Sequence, residues 1–460
     1  MSQAAIEIER WPSVPLLDLL ASMESGSRPR GGVRGIAGGV ASVGGEHLNA
    51  SGGFNLDTMK YVPRAFFESM RRGHIRSGDV LIVKDGATTG KVALVRPDFP
   101  FREAVANEHV FVCRPESIDS DYLFWFLRSP EGQRRILEHF RGSAQGGITQ
   151  EFAAGTLVPV APPAMQRAIA AVLAAANERS SSAIERLAEA RLAVERARRA
   201  ILAAACSGRL TRDWREQHPH AKSVQTSIAA RTSKRRRARS EQTVELPIPE
   251  LPQTYIRATV GACAEIIEYG TSEPCQADLP GGIPVLRMGN IQEGFLDLRN
   301  LKYRGLDSEL KRLILSDGDL LFNRTNSPEL VGKSAVFHET RPMSFASYLI
   351  RVRFRKDLAE PDYANYWINS AWGREWARLA KTDGVSQSNI NGSKLSMMPL
   401  PLAPIEEQGV IVQRASLLLS RVDDLDQRLD DIAQQVTGVR EAILGQAFRG
   451  DLLISHAQGS

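Results

Sequence analysis

The 460-residue chain is 43% hydrophobic and 24% charged, ordinary for soluble globular protein and long enough for two or three cored domains. No apolar run approaches the ~20 residues that span a bilayer, and residues 1–10 lack the basic start and apolar stretch of a signal peptide. A net charge of +5 leans toward a polyanionic partner, and four scattered cysteines (Cys113, Cys206, Cys263, Cys275) read as buried thiols in a reducing cytoplasm.

Residues 1–157 read as a mixed α/β domain. Val80-Leu81-Ile82-Val83 and Val92-Ala93-Leu94-Val95 are β-type runs around the turn-rich residues 85–90, and Val110-Phe111-Val112 is a third. Residues 122–139 then take helical spacing with aromatic residues on one side. Pro162-Pro163 opens a long helix to about Ala205, and residues 158–215 form the first spacer. Residues 216–253 are a linker carrying Lys234-Arg235-Arg236-Arg237, Arg239, Pro247, Pro249 and Pro252, a solvated connector or a phosphate contact. Residues 254–398 repeat the first domain's pattern, and residues 399–460 hold a second long helix from Pro404 to about Ala447.

That recurrence is a repeat. Residues 158–210 align without gaps to residues 400–452, an offset of 242, with sixteen identical positions that include Pro159/Pro401, Pro162/Pro404, Gln166/Gln408 and Gly208/Gly450. Upstream, Gly78-Asp79-Val80-Leu81-Ile82 answers Gly318-Asp319-Leu320-Leu321-Phe322, and Gly90-Lys91 answers Gly332-Lys333. Between these anchors the halves diverge, as a scaffold with two different recognition surfaces requires.

Each helix of roughly 43 residues spans about 65 Å. In the first, Leu173, Ser180, Leu187, Val194 and Ile201 take heptad position a, and Ala176, Ala183, Ala190, Ala197 and Ala204 take d. In the second, Ala415, Val422, Leu429, Val436 and Ile443 take a, and Leu418, Leu425, Ile432 and Val439 take d. An alanine seam is too thin for a strong homodimer but accepts a bulkier helix, so the two helices pair within one chain. A pseudo-two-fold axis across them makes them antiparallel. The fold class is α+β: two mixed α/β domains joined by an antiparallel intramolecular coiled coil.

Catalytic motifs are missing. Residues 86–92 and 331–334 resemble phosphate loops, but the first is one residue short between its glycines and the second has Ser327 in place of the leading glycine. Both run into β-type residues, so the phosphate-binding helix N-terminus is absent. Pro97-Asp98 followed by Glu103 starts like a nuclease motif, yet Ala104-Val105 fill the lysine positions. The eight histidines are scattered, and no Asn-Pro-Pro-aromatic clamp of adenine methyltransferases occurs. The expectation is a non-catalytic chain.

With two divergent domains, two similar long helices and no catalytic motif, the chain resembles the specificity subunit of Type I restriction-modification systems over nearly its whole length. The most specific element is Pro-Leu-Pro-Leu-Ala-Pro-Ile-Glu-Glu-Gln at 399–408, with the heptad helix and Phe448-Arg449-Gly450-Asp451-Leu452 after it. Residues 384–391 look like the family's junction between recognition domain and helix, residues 142–149 match more loosely, and Ala164-Met165 replaces Glu406-Glu407 in the first helix. The resemblance implies that each domain reads half of a bipartite DNA target, and that helix length sets the unspecified spacer. It further implies two modification subunits that methylate adenine N6 with S-adenosylmethionine, restriction subunits driven by ATP and Mg, no cofactor in this chain, and a cytoplasmic location without membrane contact.

Phosphate contacts position such a protein and base-edge contacts give it sequence preference. Polar or basic residues on glycine-flanked turns are therefore the DNA-binding candidates. In the first domain these are Arg34, His47, Asn49, Lys84, Thr88, Thr89, Lys91, Ser143 and Gln145. In the second they are Arg287, Asn290, Gln292, Arg324, Thr325, Asn326, Lys333, Ser386, Gln387 and Asn389. The rival reading is a non-catalytic coiled-coil adaptor or RNA-binding scaffold, which predicts no sequence-specific effect on DNA.

Overall fold

A computed structural model describes residues 11–36, 38–142, 146–219, 248–385 and 387–448. The basic run at 234–239 and the repeat's last residues, 449–452, lie outside them. By packing, the chain forms two units, one of residues 1–188 with 430–460 and the other of residues 189–429.

In the first unit a four-stranded antiparallel sheet has the order Leu20–Ser25, Val110–Pro115, Val80–Val83, Val92–Leu94. A second sheet sets Val40–Val43 between antiparallel Lys60–Val62 and parallel Ala104–Ala106, while Ser13–Pro15 pairs with Leu157–Pro159. The second unit has the same plan. Its larger sheet has the order Ala264–Tyr269, Leu349–Phe354, Leu320–Asn323, Ser334–Val336. Ile283–Leu286 lies between antiparallel Lys302–Arg304 and parallel Ser344–Phe345, and Ile256–Thr259 pairs with Pro399–Leu402.

The central strand reads as an unbroken apolar run because both its faces are covered. Val80 and Ile82 pack with Tyr122 and Phe126 of the helix Ser120–Arg128, while Leu81 and Val83 pack with Ala41 and Val43. Leu320 and Phe322 share a core with Tyr363 and Trp367 in the same way, and Leu321 faces Leu286 and Phe345.

Side chains repeated in sequence hold repeated jobs. Gly78 and Gly318 turn with φ of +90° and +82°, a left-handed conformation that favours glycine. The Asp79 carboxylate beyond accepts from the Arg76 amide and from Arg114, and Asp319 accepts from the Ser316 amide and Arg353. The hydroxyl of Tyr122 donates to the Pro159 carbonyl at 2.7 Å and that of Tyr363 to the Pro401 carbonyl at 2.8 Å. Buried Gln166 accepts from the Asp119 amide and donates to the Ala161 carbonyl, while Gln408 accepts from the Glu360 amide and donates to that of Ala403. These bonds fix the start of each long helix against its own recognition domain.

The long helices are Pro163–Cys206 and Ile405–Ala447. In the first unit Ile169 and Leu173 share a core with Leu444, Ala447 and Phe448; in the second, Ile201, Leu202, Ala205 and Cys206 share one with Ile411, Ala415 and Leu419. The start of each helix packs on the end of the other, so they run antiparallel. The seam differs from the heptad reading. Leu425, Ile432 and Val439, assigned to d, are 51%, 44% and 56% exposed. The inward residues lie at each a position and four places after it, at Leu419, Asp426, Ala433, Arg440 and Ala447, so the seven-residue repeat holds but its second inward position is e rather than d.

Three cysteines are buried (Cys113, Cys206 and Cys263), with burial pushing the Cys113 and Cys263 thiols up to about 12; Cys275 is partly exposed. Among the described residues no helix is long and apolar enough to cross a membrane.

Candidate nucleic-acid interface

In each unit the central strand of the larger sheet runs out onto a cation. The Lys84 amide donates to the His109 carbonyl at 2.8 Å, and the Lys84 carbonyl accepts from Ile148 at 2.8 Å. Arg324 makes the same pair with the Tyr348 carbonyl at 3.0 Å and the Ile390 amide at 2.9 Å. Both cations are tied back as well, Lys84 Nζ to the Glu108 carbonyl and Arg324 Nη1 to the Ser347 carbonyl, each at 3.3 Å. Lys84 Nζ lies 5.8 Å from the Phe111 ring centroid, and the Arg324 guanidinium lies 4.8 Å from that of Tyr269.

Around Arg324 the second unit gathers most of its candidates. Arg324 Nη2 donates to Asn389 Oδ1 at 3.3 Å, and Asn389 Nδ2 donates to Thr325 Oγ1 at 2.7 Å. Arg287, Gln292, Asn326, Lys333 and Tyr348 line a recess of about 410 Å³ in the same unit. The Nε atoms of Arg287 and Arg324 and the Oδ1 of Asn323 are shielded from solvent and find no hydrogen-bond partner among the described residues. Partial burial holds the Lys333 ammonium below the usual lysine range, and the Arg374 guanidinium adds to this against an opposing pull from Glu293. Donors and cations that meet few acceptors suit an anionic, acceptor-rich ligand. Gln387 is exposed on the neighbouring hairpin, and Ser386 lies outside the described residues.

The first unit is more self-contained. Lys91 Nζ donates to the Leu48 carbonyl at 3.0 Å, and Thr89 Oγ1 donates to that of Gly86 at 2.7 Å. Asn49 Oδ1 accepts from the amides of Ser51 and Gly53, closing its own loop. Thr88 is exposed, and its hydroxyl faces the turn at Gly45. Arg34 is also exposed, but no hydrogen bond ties it to this set among the described residues; Ser143 and Gln145 lie outside them.

Two candidates face inward. His47 is fully buried: its Nδ1 accepts from the Gly44 amide at 2.8 Å and its Nε2 meets the Thr58 carbonyl at 3.1 Å. Asn290, 3% exposed, braces the matching turn, accepting from the Arg287 amide and donating to the Asp297 carbonyl. Each spends its polar atoms on the turn and has none to offer a ligand.

Other residues at these tips escaped the choice by polarity and glycine flanks. Tyr269 and Tyr348 are 44% exposed beside the Arg324 face. Asp85 and His109 form a 2.5 Å pair beside Lys84. Aligning His109-Val110-Phe111 with Tyr348-Leu349-Ile350 would have found His109 and Tyr348 together. Among the described residues, no group of three or more His, Cys, Asp or Glu could hold a metal ion.

No family model matches the chain. It is 25% identical over 408 residues to the Type I restriction enzyme EcoKI specificity subunit of Escherichia coli K12, covering 87% of this chain and 80% of that one. The EcoBI specificity subunit of Escherichia coli is 24% identical over 430 residues, covering 91% and 84%. Along most of its length the chain is similar to Type I restriction enzyme specificity subunits. Solved structures agree on the fold along its length. The HsdS subunit from Thermoanaerobacter tengcongensis superposes with a TM-score of 0.52 at 21% identity, covering 96% of this chain and 97% of that one. A chain from work on complex assembly and conformational transition of the type I R-M system reaches a TM-score of 0.64 at 18% identity, covering 96% and 98%.

Proposed function

We propose that this chain is the DNA-reading subunit of a Type I restriction-modification complex, each unit reading one half of a bipartite double-stranded target. The observation that carries the reading is one backbone frame built twice with different side chains at the tips. Backbone amides and the retained cations would position the phosphates, and the differing side chains would meet base edges. The chain supplies no cofactor: S-adenosylmethionine, ATP and Mg belong to its partners, two modification subunits and the restriction subunits, in the cytoplasm.

Genome-wide methylation sequencing of cells with and without the gene tests this reading. Deletion should remove one bipartite N6-methyladenine motif. An unchanged methylome in cells that express the modification subunit would favour the adaptor reading.

The partners need a surface, and Ile432 and Val439 of the first unit would supply one. Seven-residue spacing puts them on one face of the second long helix, and both are largely exposed. An apolar stripe of this kind suits a partner helix. Ile432→Lys should leave the thermal transition within about 1 kcal/mol of the parent, as an exposed site allows, and should abolish co-purification of the modification subunit. Retained co-purification would place that subunit elsewhere.

A further inference from the structure

The two cation-bearing tips share a register, so their side chains can be compared place by place. Strand pairing sets Val83 opposite Val110 and Asn323 opposite Leu349. The next residues therefore correspond: Lys84 to Arg324, Asp85 to Thr325, His109 to Tyr348 and Glu108 to Ser347. Across the loop Asp85 bridges Gly147, as Thr325 pairs with Asn389.

The cation and its carbonyl tether are retained, and everything beside them changes. The second unit presents hydroxyls and an amide, with Asn389 donating to Thr325. In the first unit His109 Nδ1 lies 2.5 Å from Asp85 Oδ1, Glu108 Oε1 lies 3.0 Å from Arg28 Nε, and His109 Nε2 lies 3.4 Å from Glu108 Oε1. Gly147 makes room for this arrangement: a Cβ there would come within 2.8 Å of the Asp85 Cβ and 2.7 Å of the Lys84 carbonyl oxygen. Asp85 keeps 31% of its side chain exposed, so it reaches the surface.

A carboxylate on a face that meets DNA is repelled by phosphate. It becomes useful only against a hydrogen-bond donor, and in the major groove the donors are the exocyclic amino groups of cytosine N4 and adenine N6. Glu108 is compensated by Arg28. Asp85 is left as the acceptor, with His109 fixing its orientation. Resting on the DNA-reading function above, we propose that Asp85 is a specificity-determining residue of the first recognition domain, accepting a hydrogen bond from a base amino group, with His109 as its positioning residue.

The test is motif determination by methylation sequencing in cells supplying the partner subunits, for wild type, Asp85→Asn and His109→Gln. The position that Asp85→Asn relaxes identifies the contacted base pair, an A·T pair naming adenine N6 and a G·C pair naming cytosine N4. Asp85→Asn should cut discrimination at that position about ten-fold or more, the scale of a good base contact, leaving the other half-site unchanged. His109→Gln should relax the same position and no other, which a merely structural role would not do. The transplant Thr325→Asp with Tyr348→His and Asn389→Gly covers the case in which the first-domain variants fail to fold. It should move an amino-base preference into the other half-site. A wild-type bipartite motif that neither Asp85→Asn nor the transplant changes overturns this assignment alone. No motif from the wild type overturns it together with the function it rests on.

Discussion

Replacing Phe448 with alanine is expected to destabilise the first unit by about 3–5 kcal/mol, the usual cost of emptying a buried aromatic site. Its ring is 9% exposed and meets Tyr122 at 5.2 Å and Phe126 at 5.4 Å, both edge-on. Such pairs add about 0.5–1.5 kcal/mol beyond area burial. Leu444 and Ala447 belong to the same cluster, so the end of the second long helix is part of the first domain's core. Urea unfolding followed by tryptophan fluorescence, with Trp125 in that core, would register the loss as a lower midpoint at an unchanged slope. A shift below 1 kcal/mol would mean that the aromatic cluster stands without it.

A comparable effect is expected in the second unit from Arg215→Ala. Glu407 is completely buried; its Oε1 accepts from Thr211 Oγ1 at 2.6 Å, from Tyr255 at 3.0 Å and from Arg215. Removing the guanidinium strands a buried carboxylate, at a cost of about 3–5 kcal/mol. The equivalent place in the first helix is Met165, a site without charge. The pair Arg215→Met with Glu407→Met should therefore recover at least half of the loss, because an apolar pair carries no desolvation penalty. Calorimetric melts of the single and double variants decide it: additive losses would mean that the pair is uncoupled.

Much of this architecture was legible because the repeat preserves jobs as well as letters. Gln166 and Gln408, or Tyr122 and Tyr363, recur since each closes the same joint between strand and helix. The sheet order was less accessible. The parallel pairing of Val40–Val43 with Ala104–Ala106 joins segments far apart in the chain, which no local pattern encodes. The heptad reading erred at Leu425, Ile432 and Val439 because sequence reports that a stripe is apolar and not whether this chain covers it. At the tips, polarity and glycine flanks found Arg324 and Lys333 but could not distinguish an outward side chain from His47 or Asn290, which fold back onto their own turns. Asp85 was passed over for a different reason: it borders Gly86, but a carboxylate offers phosphate nothing, and its role rests on a strand register that only the sheet defines.

The division of the chain has a consequence for its synthesis. The second unit is one continuous stretch, residues 189–429, and all of it leaves the ribosome before residues 444–448 do. The first recognition domain is translated earlier, yet its aromatic cluster lacks Leu444, Ala447 and Phe448 until translation has passed them. The half made first is thus completed last, and nascent chains would carry an open apolar site on Tyr122 and Phe126 for the time needed to make the whole second unit.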